Sequence, residues 1–511
     1  MTTIGHDAPL MLSVSGARGI VGRTMTPDVA RRFARCFGAV LIETCGTSSP
    51  LVVMGRDSRP SGAELAAAAA SGLVEAGCRV VDLGIVMTPT AGVMIDELNA
   101  DGGMVVTASH NPGQWNGLKC LNADGVAPPA VEAARLIHRF KAMPAAPPSG
   151  PCEIAPPIAR HDGAAARHVA RVLDLLGEAS IHAIRRRAFR VVVDSVRGAG
   201  GPAAAMLLRE LGCAVIHLYG EPTGDFPHAP EPLEENLREL AATVNREHAD
   251  IGFAQDPDAD RLAIIDETGR YIGEEYTLAL CARRVLERFA ADPSFAHGSG
   301  EGAVDDSKHV LVLAANMSTS RMIDDIAASF PGLHVSVLRT AVGEANVVAA
   351  MKPHGDRAVL GGEGNGGVIV PRVCWVRDSL SSMALVLDLL AGCGGKENGG
   401  AGVSGAGVPP VSSLTLSSIV ASLPRYEMIK RKFDLASVGG SAAVGPALTR
   451  VREAFHGERF NDTDGVRLDF DDGWIHLRPS NTEPIIRLIA EATTHARAEE
   501  LIESVRAAAH L

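Results

Sequence analysis

Short apolar runs recur along the chain, and most of them stop at glycines or charged residues. Runs of this length, bounded by turn residues, predict buried strands. Leu51 to Arg59, which ends in charged turn residues, is one, followed by Arg79 to Leu83 and the run closing at Val105-Val106. Phe189 to Asp194, Ala214 to Leu218, Asp250 to Ala254, Val310 to Ala314, His334 to Leu338 and Ala358 to Leu360 are others. Between them lie stretches with helical character. The first runs to about Val40 behind Thr26, a fitting N-cap, with Pro27 and Asp28 in its first turn. Gly62 to Ala76 is Ala-rich and closes at Gly77. Pro202 to Leu211, Glu275 to Phe289, Thr319 to Phe330, Ser379 to Leu390 and Arg497 to His510 complete the series. Met87-Thr88-Pro89-Thr90 reads as a turn, and Asp464 to Phe470 with Trp474 to Leu477 reads as a hairpin around Asp471-Asp472-Gly473. Strand alternating with helix implies α/β domains with largely parallel sheets.

The 511 residues exceed one hydrophobic core. Pro144 to Pro157 is a Pro/Ala-rich connector, Ala291 to Lys308 a polar insertion and Ala391 to Val411 a Gly/Ser/Pro-rich linker. The expected division is 1–157, 158–270 and 271–390 as three α/β domains, a linker 391–411, and a C-terminal domain 412–511. Aromatics are only 4%, so the cores must be built from Ala, Val, Leu and Ile. A formal net charge of -12 speaks against a nucleic-acid surface but leaves room for a small basic pocket. Nine scattered cysteines without a Cys-x-x-Cys pair fit reduced thiols, and Met1 to Leu10 lacks the basic-then-apolar form of a signal peptide. No apolar stretch is long enough to span a bilayer. A cytoplasmic chain without membrane partners is expected, and the Asn-x-Ser/Thr sequons at Asn316 and Asn461 read as chance.

Five loops carry candidate chemistry. Ser13 to Gly22 sets glycines around Arg18, as a tight loop presenting a cation would. Thr107-Ala108-Ser109-His110-Asn111-Pro112 ends a strand with a serine beside a histidine, and the loop continues to bring Lys119 back near it. From these residues alone Ser109 is either a nucleophile or an ordinary helix cap. Asp256-Pro257-Asp258-Ala259-Asp260-Arg261 alternates carboxylates with small residues. Such a loop can aim oxygens at one hard cation, Mg²⁺ or Ca²⁺ rather than Zn²⁺. An EF-hand is excluded, because Arg261 stands where its glycine is required and the flanks read as strands. Gly361-Gly362-Glu363-Gly364-Asn365-Gly366-Gly367 offers a carboxylate and an amide on a backbone that a ligand can approach closely, which suits sugar hydroxyls better than phosphate. Arg478-Pro479-Ser480-Asn481-Thr482-Glu483-Pro484, with Arg487 beyond it, is a plausible phosphate cradle.

In this order, the serine, aspartate, glycine and arginine loops resemble those of the α-D-phosphohexomutase superfamily, and the resemblance runs from Ser13 to Arg506. It implies three related α/β domains and a smaller, rotatable C-terminal domain around a central cleft. It implies a phosphoserine at Ser109 that passes its phosphoryl group to a hexose 1- or 6-phosphate, giving a bisphosphate sugar that turns over and returns the other phosphate. It further implies Mg²⁺ on Asp256, Asp258, Asp260 and a Ser109 phosphate oxygen, with Arg18 and Arg261 at the transferring phosphate and a bisphosphate sugar as activator. Lys119 is then the general acid/base, and His110 shapes the loop rather than acting as a base. Glu363 and Asn365 grip sugar hydroxyls, Thr340 and Gly343 line the sugar side, and Arg478, Ser480, Asn481, Thr482 and Arg487 hold the non-reacting phosphate. Many members of the superfamily have Ser and a following His where this chain has Asn365 and Gly367, so no proton role transfers there. The loop forms lean towards glucosamine phosphate over mannose or glucose phosphate, acting as a monomer or homodimer. The competing classes are a non-catalytic sugar-phosphate-binding protein and a Mg²⁺-dependent sugar phosphatase.

Overall fold

A computed structural model describes residues 9–144, 158–292, 310–392, 414–480 and 485–511. It divides into two compact units. The first comprises Met1–Gly302 with Asn365–Val420, and the second Ala303–Gly364 with Ala421–Leu511. Most of the connector, the insertion and the linker expected from sequence lie outside the described residues.

The first unit opens with β1 (Met11–Ser13), β2 (Gly16–Ile20), α1 (Pro27–Cys45), β3 (Leu51–Arg56), α2 (Gly62–Glu75), β4 (Arg79–Ile85), α3 (Thr88–Glu97), β5 (Gly102–Val106), β6 (Trp115–Asn122) and α4 (Ala130–Ala142). With β7 (Ala159–Arg160) they form a seven-stranded sheet in the order β1-β2-β6-β5-β3-β4-β7. β3 runs parallel to β4 and β5, as the alternation of strand and helix requires. β6 runs antiparallel to β5 and β2, and β2 antiparallel to β1, so the sheet is mixed rather than largely parallel. The segments around Arg18 and before Lys119, expected to be loops, are therefore strands that pair with each other. Their glycines and short polar residues hide a buried ladder. Met87 to Thr90 is no turn but the start of α3, where Pro89 takes the first-turn position that lacks a helical N–H partner anyway. Thr26 caps α1 through a hydrogen bond from Val29 N (3.3 Å).

A long helix, α5 (Ala164–Arg187), leads into a second sheet of this unit. That sheet is built from β8 (Arg190–Asp194), α6 (Gly201–Glu210), β9 (Ala214–Leu218), α7 (Arg238–Arg246), β10 (Ile251–Gln255) and β11 (Leu262–Asp266). Its order is β11-β10-β8-β9, parallel except for β11. α8 (Glu275–Ala291) follows, and β15 (Gly367–Ile369) and α12 (Leu416–Ser422) come later in the chain. Every residue of α11 (Ser379–Ala391) is buried, its serines and Asp388 included, because it lies between α5 and α8.

The second unit pairs β12 (Leu311–Asn316) in parallel with β13 (Val335–Thr340) and β14 (Ala358–Glu363), with α9 (Met322–Ala328) and α10 (Glu344–Met351). Its other sheet is antiparallel, with β16 (Glu427–Asp434), β20 (Ile485–Ala492), β19 (Gly473–Pro479), β18 (Val466–Phe470) and β17 (Arg459–Asn461) in that spatial order. α13 (Val444–Ala454) and α14 (His495–Ala509) close its core on Leu488, Ile475 and Val505. α5, α10, α13 and β16 have no counterpart in the reading of the sequence. Among the described residues, no helix is long and apolar enough to cross a membrane.

Candidate active site

Ser109 sits three residues beyond β5, at φ +49°, a left-handed conformation that a serine adopts only when its surroundings enforce it. The enforcement is visible. Arg59, fully buried, donates from Nε to Trp115 O (2.9 Å), from Nη1 to Asp57 Oδ2 (2.7 Å), and from Nη2 to Ser109 O (2.8 Å) and to Asn111 O. Asp57 Oδ2 also accepts from Thr107 Oγ1 (2.7 Å), which in turn accepts from Ser109 N (2.9 Å). Thus a charged turn after β3 clamps the serine loop after β5.

The clamp presents the Ser109 hydroxyl to Asp256 Oδ2 at 2.9 Å, across 147 residues of sequence. Asp256, Asp258 and Asp260 are fully buried, and each offers an oxygen within 4.8 Å of the others. The turn that gathers them places Ala259 at φ +54° and accepts Asp260 N (3.1 Å) and Arg261 N (3.2 Å) on Asp256 Oδ1. Lys119, on β6, bridges Asp258 Oδ2 (2.9 Å) and Asp260 Oδ2 (3.0 Å). Thr88 donates to Asp258 Oδ2 (2.5 Å) and Arg377 to Asp260 Oδ2 (2.7 Å). The Oδ1 atoms of Asp258 and Asp260 are buried and without a hydrogen-bond partner. Burial and the charges of Asp260 and Asp258 push Asp256 well above the usual carboxylate range. Against the same burial, Lys119 holds Asp258 low, and Arg377 with Lys119 holds Asp260 far below that range. Three crowded hard-oxygen donors, two with orphaned atoms and one driven towards protonation, fit a small divalent cation.

Guanidinium groups complete this cluster. Arg18 reaches Asn111 Oδ1 (3.3 Å), and Arg261 Nε lies 3.9 Å from Asp260 Oδ1. Burial lowers the Arg18 pKa, with Asp258 opposing and Arg261 and Arg377 adding to the fall, so the three cations crowd one space. Such a space attracts an anion. His110 Nδ1 lies 3.4 Å from Ser109 Oγ. Burial, with Arg261 and Arg18 nearby, holds the His110 pKa well below the usual value, so its ring is neutral at pH 7.

The glycine loop enters the same unit at Asn365, whose Oδ1 accepts from Gly367 N (3.2 Å), an arrangement that shapes the loop itself. Gly366 has φ +81° and accepts Leu262 N on its carbonyl (2.9 Å). A Cβ on Gly367 would lie 2.2 Å from Arg377 Cδ, so the absent side chain is what lets Arg377 pass to Asp260.

The second unit gathers other expected residues. Glu363 Oε1 accepts from Gly343 N (3.0 Å) and Asn316 Nδ2 (2.9 Å). Asp464 Oδ2 accepts from Arg478 Nε (3.0 Å) and Val342 N (3.0 Å). The Thr340 hydroxyl donates to Ala341 O (2.9 Å). Arg478 and Arg487 are directly opposed on β19 and β20. Ser480 N closes the hairpin on Ile485 O (2.9 Å), whereas Asn481 and Thr482 lie outside the described residues. His476 joins Ser318 Oγ (2.9 Å) to Asp464 O (2.5 Å). Burial draws its pKa down to about 4. A pKa lowered by folding adds stability that is complete above the unfolded value near 6.5 and is lost as pH falls through 4. The loss amounts to roughly 3 kcal/mol. Thermal melts from pH 7 to pH 4 should show the parent losing more stability than His476→Gln, and equal pH slopes would refute the assignment.

Arg59, Asp57, Thr88, Arg377, Asn316 and Asp464 were not singled out from sequence. Arg59 and Asp57 stood in a stretch legible only as a charged turn, and Asn316 was read as a chance sequon.

Residues 11–145, 166–269 and 274–403 match the phosphoglucomutase/phosphomannomutase alpha/beta/alpha domains I, II and III, and 430–508 match the C-terminal domain. A probable phosphoglucosamine mutase of Methanopyrus kandleri is 35% identical over 488 residues, 95% of each chain. A phosphoglucomutase/phosphomannomutase of Thermococcus kodakarensis is 35% identical over 497 residues, 96% of each. The crystal structure of a phosphoglucomutase/phosphomannomutase family protein from Burkholderia thailandensis superposes with a TM-score of 0.74 at 27% identity, covering 98% of this chain and 97% of that one. With its four domains matched in order and relatives aligned from end to end, this chain belongs to the phosphoglucomutase/phosphomannomutase family and is a phosphohexomutase, an isomerase.

Proposed function

We propose that the chain interconverts hexose 1- and 6-phosphate, with glucosamine phosphate as its main substrate, through a phosphoserine at Ser109 and a bisphosphate sugar. The observation that carries this reading is the 2.9 Å contact of Ser109 Oγ with Asp256, inside a cluster of three buried aspartates. The phosphoryl group leaves Ser109 Oγ for the free hydroxyl oxygen of the sugar phosphate, and the Lys119 ammonium gives a proton to Ser109 Oγ as it takes the one the hydroxyl loses. The resulting bisphosphate sugar reverses. Its other phosphoryl group then passes to Ser109 Oγ, and the serine proton moves through Lys119 to the sugar oxygen left behind. Arg18 and Arg261 neutralise charge on the transferring group. Asp256, Asp258, Asp260 and a Ser109 phosphate oxygen would hold Mg²⁺, which supplies charge neutralisation for the transfer. Glu363 and Asn365 meet the sugar hydroxyls, and Thr340 and Gly343 line the sugar side. Arg478, Ser480, Asn481, Thr482 and Arg487 hold the phosphate that does not react. A bisphosphate sugar primes the serine as activator.

The relative from Methanopyrus kandleri supports glucosamine phosphate. The equally similar Thermococcus kodakarensis protein supports the second reading, glucose or mannose phosphate. Phosphorus NMR of glucosamine, glucose and mannose 1-phosphates, with Mg²⁺ and a trace of bisphosphate sugar, separates them. The glucosamine ester should convert to its 6-phosphate fastest, and EDTA should stop all conversion. A faster glucose or mannose ester would replace the substrate. Inorganic phosphate without isomer would indicate a phosphatase. Turnover unchanged in EDTA would remove the metal.

A further inference from the structure

Two helices of the first unit each bring one polar group to the aspartate cluster. α3 begins with Thr88, which donates to Asp258 Oδ2. Arg377 lies two residues before α11 and donates to Asp260 Oδ2. These contacts engage the Oδ2 atoms and leave both Oδ1 atoms buried and without a hydrogen bond. α5 packs against both helices and contributes His168, which is fully buried. His168 Nδ1 lies 2.9 Å from Thr90 Oγ1, in the first turn of α3. Its Nε2 lies 3.1 Å from Oδ2 of Asp378, the N-cap of α11 and the neighbour of Arg377. The ring donates from Nε2 to the carboxylate, and the Thr90 hydroxyl, which can donate or accept, pairs with Nδ1.

We infer that His168 is a positioning residue for the cation site. By tying Thr90 to Asp378 it fixes the start of α3 against the start of α11. This holds Thr88 and Arg377 on the Oδ2 atoms of Asp258 and Asp260 and keeps the Oδ1 atoms turned to the cation. The inference rests on the proposed reading of the three aspartates as cation ligands. Groups hydrogen-bonded directly to metal ligands commonly change metal affinity by about 10- to 100-fold, and His168, one step further out, is expected at the lower end of that range. His168→Leu keeps Asp378 as a cap, because Leu380 N (3.0 Å), Ser381 N (3.0 Å) and the Ser381 hydroxyl still donate to it, so the variant should fold.

The test is Mn²⁺ binding to the full chain, followed by electron paramagnetic resonance, with melting temperatures measured in EDTA. His168→Leu should bind Mn²⁺ at least about 10-fold more weakly than the parent. Thr90→Val, which cuts one arm, should weaken binding in the same direction. His168→Gln, whose amide can both donate to Asp378 and accept from Thr90, should stay within about threefold of the parent. Parent-like affinity in folded His168→Leu, with only the melting temperature lowered, would overturn the inference in favour of a helix-packing role. Affinity in His168→Gln as weak as in His168→Leu would overturn it as well. Should His168→Leu fail to fold, Thr90→Val decides by the same criterion. Absence of Mn²⁺ binding by the parent, or binding undiminished in Asp258→Asn, would instead sink the cation-site reading beneath it.

Discussion

Ser109→Ala is expected to lower turnover by at least about 10⁴-fold, the scale on which losing a covalent nucleophile acts. Stability should change little. The substitution removes one hydrogen bond to Asp256, worth about 1 kcal/mol, and alanine meets the left-handed backbone at position 109 much as serine does. The parent, incubated with a bisphosphate sugar, should gain the mass of one phosphoryl group, and the variant should gain none. Turnover surviving in Ser109→Ala would mean that the phosphoryl group is carried elsewhere or passes directly to water.

The second large effect is expected at a residue that touches no substrate. Arg59→Ala removes the only counter-cation that Asp57 shows among its described contacts, in a place where burial already pushes the Asp57 carboxyl up and Arg59 opposes that rise. Breaking a buried pair from one side costs about 3–5 kcal/mol. The same change frees the carbonyls of Ser109, Asn111 and Trp115. A serine loop displaced by about 1 Å loses about 100-fold in turnover. Arg59→Lys keeps the charge but not the planar fork, so it should recover part of the stability and little of the rate. Urea melts and phosphorus NMR on the same preparations check both effects. Parent-like turnover in folded Arg59→Ala would show that the loop holds Ser109 without its clamp.

These two residues mark the limit of what could be read from the chain alone. Ser109 was legible because its setting is local: an apolar run, then a small polar turn. The aspartates were legible for the same reason, since alternation on one turn is written in consecutive residues. Arg59 acts through carbonyls some fifty residues away, and Arg377 through a carboxylate 117 residues away, so neither leaves a mark in its own neighbourhood. β6 was taken for loop because Asn116, Gly117 and Lys119 disfavour strands locally, yet every position from Trp115 to Leu121 is buried in the ladder. α5 escaped notice because its apolar face is dispersed among arginines and alanines and broken at Gly177.

Gly367 and Arg377 cannot change in arbitrary order. A side chain acquired first at 367 meets the Arg377 methylene and drives the guanidinium off Asp260. A shorter side chain acquired first at 377 withdraws one cation but leaves 367 open. Only the second route passes through an intermediate without a steric clash. Divergence of this loop is therefore directional, and the glycine is held in place by a residue ten positions further along the chain.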